Sequence, residues 1–145
     1  MKISTKGRYG LRTLMDIALH QGKGPVNLND IAQRQGISAK YLWQIVNLLK
    51  TAGFVRGTRG PKGGYVLLRP TADITLLDVL QTLEGPFSLV ECVDDPEVCQ
   101  RSGVCVAHSI WEEVSQAIRA ALQKITLAEI LRRHHSADSA HHFVI

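Results

Sequence analysis

Apolar residues recur at helical spacing early in the chain. Leu11, Leu14, Ile17 and Ala18 share one face with Gln21 next in the row, and GKGP at 22–25 ends the run. A first helix is therefore predicted over about residues 5–21. A second opens near Leu28, with Asn27 or Asn29 as N-cap and Gly36 as its stop. Ser38 caps a third, SAKYLWQIVNLLKTAG, closed by Gly53. Leu42, Ile45, Val46 and Leu49 form its apolar stripe, and Lys40, Tyr41, Trp43, Gln44, Asn47 and Lys50 lie on its other faces.

The period then changes. FVRGTRGPKGGYVLLRP alternates apolar and polar residues around a Gly/Pro-rich tip, the pattern of a β-hairpin. Helical spacing returns over 71–85, where Thr75-x-x-Asp78 resembles a capping box and Gly85 is the stop. A long helix is predicted over about 108–124, with Ile110, Val114, Ala117, Ala121 and Leu122 as an apolar seam and Ile125 just beyond. Thr126-x-x-Glu129 matches a capping box and starts a last helix, TLAEILRRHH. His134, His135, His141 and His142 lie in this end region, which reads as solvated.

Two short helices separated by Q-G-I-S suggest a helix-turn-helix, which sets the N-terminal residues of its second helix in a DNA major groove. An ordinary αα-hairpin gives the same local pattern. The basic hairpin that follows distinguishes them, because helix-turn-helix plus a hairpin carrying Arg56, Arg59 and Lys62 makes a winged helix. The expected fold is mainly α with a small β wing: a winged helix-turn-helix plus a long C-terminal dimerisation helix. Expected divisions are 1–85 for the DNA-binding domain, 86–107 for a cysteine-rich loop, and 108–145 for the dimerisation helix, final helix and tail.

Charge sharpens this reading. Residues 1–70 hold twelve Lys/Arg against two Asp/Glu, whereas 71–145 hold five against eleven. A half at +10 joined to a half at −6, summing to +4, points the first half at a polyanion. In 145 residues there is room for one domain with a real core or two very small ones. No run of 18 apolar residues occurs and the opening MKISTKGRYG has no apolar signal region, so a cytoplasmic protein is expected, without a membrane partner.

The remaining chemistry lies in ECVDDPEVCQRSGVCVAHSIW. Cys92, Cys99 and Cys105, the only cysteines, and His108 follow the spacing C-x6-C-x5-C-x2-H. An odd number of clustered thiols in a chain without a secretory signal argues against a disulfide framework. Soft thiolates with an imidazole suit an iron–sulfur cluster. A structural zinc site is an alternative, although these gaps exceed the short knuckles zinc favours, and three unrelated buried cysteines are another. Glu91, Asp94 and Asp95 are neighbouring alternatives to His108 as fourth ligand. An enzyme is not expected: the acidic surroundings would raise a thiol pKa, and neither a phosphate loop nor paired carboxylates accompany the thiols.

Several motifs in order resemble one family. The opening MKISTKGRYG, IAQRQGIS-x-x-YL, the wing RGPKGGY and the late ITLAEIL are similar to the IscR-type family of bacterial winged-helix regulators, which includes the NsrR and RirA branches. The resemblance implies a homodimer that represses or activates transcription at a pseudo-palindromic double-stranded DNA operator, with no small-molecule substrate. It also implies a cluster on Cys92, Cys99 and Cys105, with His108 where the IscR pattern places the histidine of a 2Fe–2S site. The x6 gap is longer than the usual IscR gap, so 4Fe–4S stays open. Arg8 stands where NsrR-like sensors have an acidic ligand, which disfavours that mode. Expected DNA contacts are Ser38, Lys40, Tyr41 and Gln44 on the helix and Arg59 on the wing, with Lys2, Lys6, Arg8 and Lys50 on phosphates.

Overall fold

The computed structural model describes residues 1–141. Helix α1 (Thr5–His20) starts at Ser4, whose Oγ accepts the Gly7 N–H at 3.1 Å. Helix α2 (Leu28–Gln35) starts at Asn27, whose side chain accepts the Asn29 N–H at 2.8 Å. Helix α3 (Ala39–Thr51) starts at Ser38, whose Oγ accepts the Tyr41 N–H at 3.2 Å. Each cap satisfies a donor the helix itself leaves unpaired.

The turn between α2 and α3 is fixed by Gly36 at φ 64° and by the Ile37 N–H donating to Ala32 O at 3.0 Å. A side chain at Gly36 would resist that left-handed conformation, and the resulting Schellman turn drives Ile37 into the core. Leu14 and Ile17 of α1, Ile31 of α2, and Leu42, Ile45, Val46 and Leu49 of α3 form this core with Phe54 and Val55. Burying each such side chain contributes about 1.5–3 kcal/mol before chain entropy is counted.

Strands β1 (Val55–Thr58) and β2 (Gly64–Leu67) pair antiparallel, with Val55 opposite Leu67 and Thr58 opposite Gly64. The wing has a third contributor that periodicity does not reveal. Val26 exchanges both backbone hydrogen bonds with Tyr65, at 2.9 and 2.8 Å, tying the wing to the entrance of α2. Gly64 permits this approach, since a Cβ there would stand 2.4 Å from Val26 O.

The predicted helix over 71–85 divides. Thr71–Asp73 is a single 3-10 turn, and α4 (Leu76–Glu84) begins with the Thr75–Asp78 capping box, complete in both directions. Gly10 of α1 lies so near α4 that a Cβ would meet Leu83 Cδ1 at 2.0 Å. A short helix α5 (Glu91–Asp94) follows, then a 3-10 turn at Pro96–Val98.

The long helix α6 (Val106–Lys124) starts two residues before the expected point, with Cys105 as its N-cap residue. The last helix α7 (Leu127–His141) runs well past the predicted segment, carrying His134, His135 and His141; His142 lies outside the described residues. Thr126 caps Glu129 N at 3.2 Å, but the reciprocal half of the predicted box does not form. The Glu129 carboxylate instead accepts from Arg132 and Arg133 at 2.7–2.8 Å. Those charge-assisted bonds hold its carboxyl down at about 2. Leu127 is buried in the winged-helix core, and backbone bonds Leu76 N to Ile125 O and Leu127 N to Ile74 O, both 2.8 Å, join the chain's end to α4. No described helix is long and apolar enough to cross a membrane.

Candidate functional site

Recognition requires a helix held rigidly from behind and polar in front. The buried side of α3 is Leu42, Ile45, Val46 and Leu49, and its outer side presents Lys40 and Gln44, both exposed. Trp43, 56% exposed, sits between them. Ser38 is exposed at the helix start, with its oxygen engaged as the cap. Tyr41 is half-buried, packs edge-on against Tyr9 with ring centroids 6.0 Å apart, and lines a surface groove with Gln44.

The other basic residues flank this helix in two places. Lys50 and Arg59 line one groove with Gly57, Gly60, Gly63 and Gly64, between the start of α2 and the wing. Lys6, Tyr41 and Gln44 line another with Ser4 and Glu84. Glu84 Oε1 accepts from both the N–H and the Oγ of Ser4, at 2.6 and 2.7 Å, tying the start of α1 to the end of α4. Lys2 and Arg8 are exposed, and Arg8 donates to Thr5 Oγ1 at 3.2 Å.

Behind the helix-turn-helix lies an ion pair between a buried carboxylate and a partly exposed arginine, which the sequence does not signal. Asp16 is 1% exposed and accepts from Arg34 at 2.7 and 3.0 Å and from Gln35 at 2.9 Å. Burial alone would push its carboxyl up, but those hydrogen bonds and the Arg34 and His20 charges outweigh it and hold the group below the usual range. The pair locks α2 to α1.

The cysteine segment is arranged along α6. Cys92, Cys99 and Cys105 are free and half-buried. Cys92 lies on α5, Cys99 just after the 3-10 turn, Cys105 at the head of α6, and His108 in its first turn. His108 Nδ1 is 3.5 Å from Cys92 Sγ. The structure joins these two and does not gather a third ligand onto them: among the described residues no three His, Cys, Asp or Glu converge on one point. Cys105 is the N-cap residue of α6 and makes no side-chain cap hydrogen bond, so its thiol is not engaged by the helix it begins. Three free thiols and an imidazole, spread from α5 to the first turn of α6, are the donor types that a thiolate-held centre uses.

Two residues absent from the predicted site hold the segment in place. Arg119 Nε donates to Phe87 O at 2.8 Å, and its guanidinium pairs with Asp94 at 3.0 Å. Ser115, 1% exposed, accepts the Leu89 N–H at 3.2 Å. No sequence signal marks Ser115, because its burial and its bond to Leu89 arise from tertiary packing.

The outer stripe of α6 is apolar and uncovered: Ile110 and Val114 are 50% and 40% exposed, and Ala117 and Ala121 continue the row. Leu122 and Ile125 are half-buried against the chain itself.

Comparison with known proteins agrees with this architecture. The Rrf2 family model, described as an iron-dependent transcriptional regulator, matches residues 3–133. The chain belongs to the Rrf2 family. A family member, protein rrf2 of Nitratidesulfovibrio vulgaris, is 43% identical over 132 residues, 91% of this chain and 88% of that protein. The structure of T. potens IscR is 39% identical and superposes with a TM-score of 0.77, covering 94% of this chain and 90% of that one. The structure of CymR, the global cysteine regulator of B. subtilis, is 38% identical with a TM-score of 0.76, covering 92% and 98%. The winged helix with a long C-terminal helix is thereby established, and the Rrf2 relatives are DNA-binding transcriptional regulators rather than enzymes.

Proposed function

We propose that this chain is a cytoplasmic, homodimeric transcription repressor whose affinity for its operator is set by an iron–sulfur cluster on Cys92, Cys99, Cys105 and His108, of the 2Fe–2S type. The observation that carries the reading is the approach of His108 to Cys92 at 3.5 Å, with a third free thiol, Cys105, at the head of α6 and Cys99 on the turn that precedes it. When bound, such a centre supplies a charge and geometry that change with redox state, iron supply or nitric oxide.

The chain's own residues do the rest. Lys40, Gln44, Ser38 and the Tyr41 hydroxyl face the major groove, Arg59 follows the wing to the backbone or minor groove, and Lys2, Lys6, Arg8 and Lys50 meet phosphates. The Ile110–Val114–Ala117–Ala121 stripe packs on a second copy, spacing two recognition helices about one helical turn, roughly 34 Å, for a pseudo-palindrome. Because α6 bears both the stripe and the ligand His108, movement of the cysteine segment changes the angle between the two winged helices.

Anaerobic purification with iron, acid-labile sulfide and zinc assays on one sample tests this. About two iron and two sulfide per chain support the 2Fe–2S reading. About four of each require a 4Fe–4S site. One zinc without sulfide replaces the sensor with a zinc-stapled DNA-binding module.

A further inference from the structure

His108, Ser115 and Arg119 are spaced by seven and four residues, so they stand on one face of α6. Each touches the same short stretch of chain. His108 meets Cys92, Ser115 holds Leu89 N, and Arg119 holds Phe87 O and Asp94. Asp94 is further held by the Ser88 hydroxyl. On the helical wheel the uncovered stripe of Ile110, Val114, Ala117 and Ala121 falls about opposite. One face of α6 thus carries the Cys92 segment and the other remains for a second copy.

The rest of the cysteine segment is built differently. The hydrogen bonds of residues 96–104 are local ones. Glu97 N and Val98 N donate to Asp95, Ser102 N to Cys99 O, Ser102 Oγ to Pro96 O, and Val104 N to Arg101 O. Cys99 therefore sits on a self-contained turn, whereas Cys92 is fixed against α6 by a ladder of side chains.

We infer that Arg119 is the positioning residue of the site: its fork to Phe87 O and Asp94 presets Cys92 beside His108, so that this half of the ligand set is in place before the turn bearing Cys99 closes. This rests on the cluster reading above. The planar guanidinium suits the task, since it donates to a carbonyl and a carboxylate from separate nitrogens held in one rigid plane, whereas an ammonium is a single point donor on a flexible stem. Ser115 supports the same segment one helical turn away, and the short α5 has no side-chain cap of its own to hold it.

The test uses the full chain. Amide hydrogen exchange is followed on the metal-free protein, and the visible absorbance of the reconstituted protein is followed on dilution into chelator. Arg119→Ala is expected to raise exchange across 87–94 about tenfold, leave the amides of α3 unchanged, and shorten the lifetime of the absorbance about tenfold. Arg119→Lys restores part of both. Asp94→Asn, which keeps the bond to Phe87, gives a smaller change of about threefold and serves if the alanine variant does not fold. Unchanged exchange in 87–94, or raised exchange with an unchanged absorbance lifetime, overturns the inference. A wild-type chain that takes up no iron and sulfide overturns the cluster reading itself, and the positioning role falls with it. A wild type that loads normally beside an indistinguishable Arg119→Ala overturns the positioning role alone.

Discussion

His108 Nδ1 stands 3.5 Å from Cys92 Sγ, joining the first turn of α6 to α5 across the segment that carries the other two thiols. If His108 is the fourth ligand, His108→Ala retains less iron and sulfide than the wild type, whereas His108→Cys retains both. Imidazole ligation raises the potential of a 2Fe–2S centre, so His108→Cys lowers it by on the order of 100 mV. Equal cluster content and equal potential in all three proteins would remove His108 from the ligand set.

Lys40 is exposed on the outer side of α3, and the proposal gives it reach to a phosphate at the groove edge, a contact that positions without specifying. Lys40→Ala weakens binding to a selected duplex and to a scrambled one alike, and flattens the slope of log affinity against log salt by about 0.9 for each phosphate no longer neutralised. Gln44→Ala behaves otherwise, costing about 1–3 kcal/mol on the selected duplex alone. Anisotropy titrations over a salt series separate the two, and an unchanged salt slope for Lys40→Ala removes that residue from the interface.

Gly64 leaves room for Val26 at the root of the wing. In Gly64→Ala the new Cβ meets backbone, 2.4 Å from Val26 O, and neither side can rotate away. The expected cost is about 1–3 kcal/mol in urea unfolding, with weakened DNA binding as the wing leaves its register. A variant with wild-type stability and affinity would show that the Val26–Tyr65 pairing does not position the wing.

Asp16 gives the fold a dependence on pH. Its folded-state pKa lies below the ordinary carboxylate value, so its contribution is complete above about pH 4 and fades as pH falls through the lowered value. Asp16→Asn is expected to be about 1–3 kcal/mol less stable at neutral pH, with the gap narrowing toward pH 2. Urea midpoints for both proteins across that range check it, and a gap constant with pH would mean the charge on Asp16 contributes nothing.

Much of this was legible in the chain. Asn27, Ser38, Thr75 and Gly36 announce their caps because capping is a local matter between residues two or three apart. The apolar stripe of α3 and the turn residues of the wing were equally readable. What the chain did not announce are pairings between distant residues. Val26 pairs with Tyr65 and Arg119 with Asp94 because tertiary packing brings them together, and no spacing rule encodes either. Glu129 had a local signal and followed a stronger partner, since two arginines one turn ahead outcompete a single backbone N–H. In the candidate site the donor types were readable from Cys92 to His108, but the contacts from Ser115 and Arg119 that hold the stretch before Cys92 against α6 were not.

The apolar stripe of α6 is the proposed seat of the second copy. Val114→Glu places a charge in its centre and is expected to shift the protein toward monomer by at least about tenfold in dissociation constant, read by sedimentation equilibrium. An unchanged assembly state would place the dimer interface elsewhere.

The most direct measurement is the affinity of one selected operator duplex for the same protein preparation, before and after the cluster is stripped anaerobically. The account predicts a difference of about tenfold or more, within the usual span of roughly 5–150-fold for coupling between two sites. Dissociation constants equal within about twofold, in a protein shown to have carried the cluster, would contradict it.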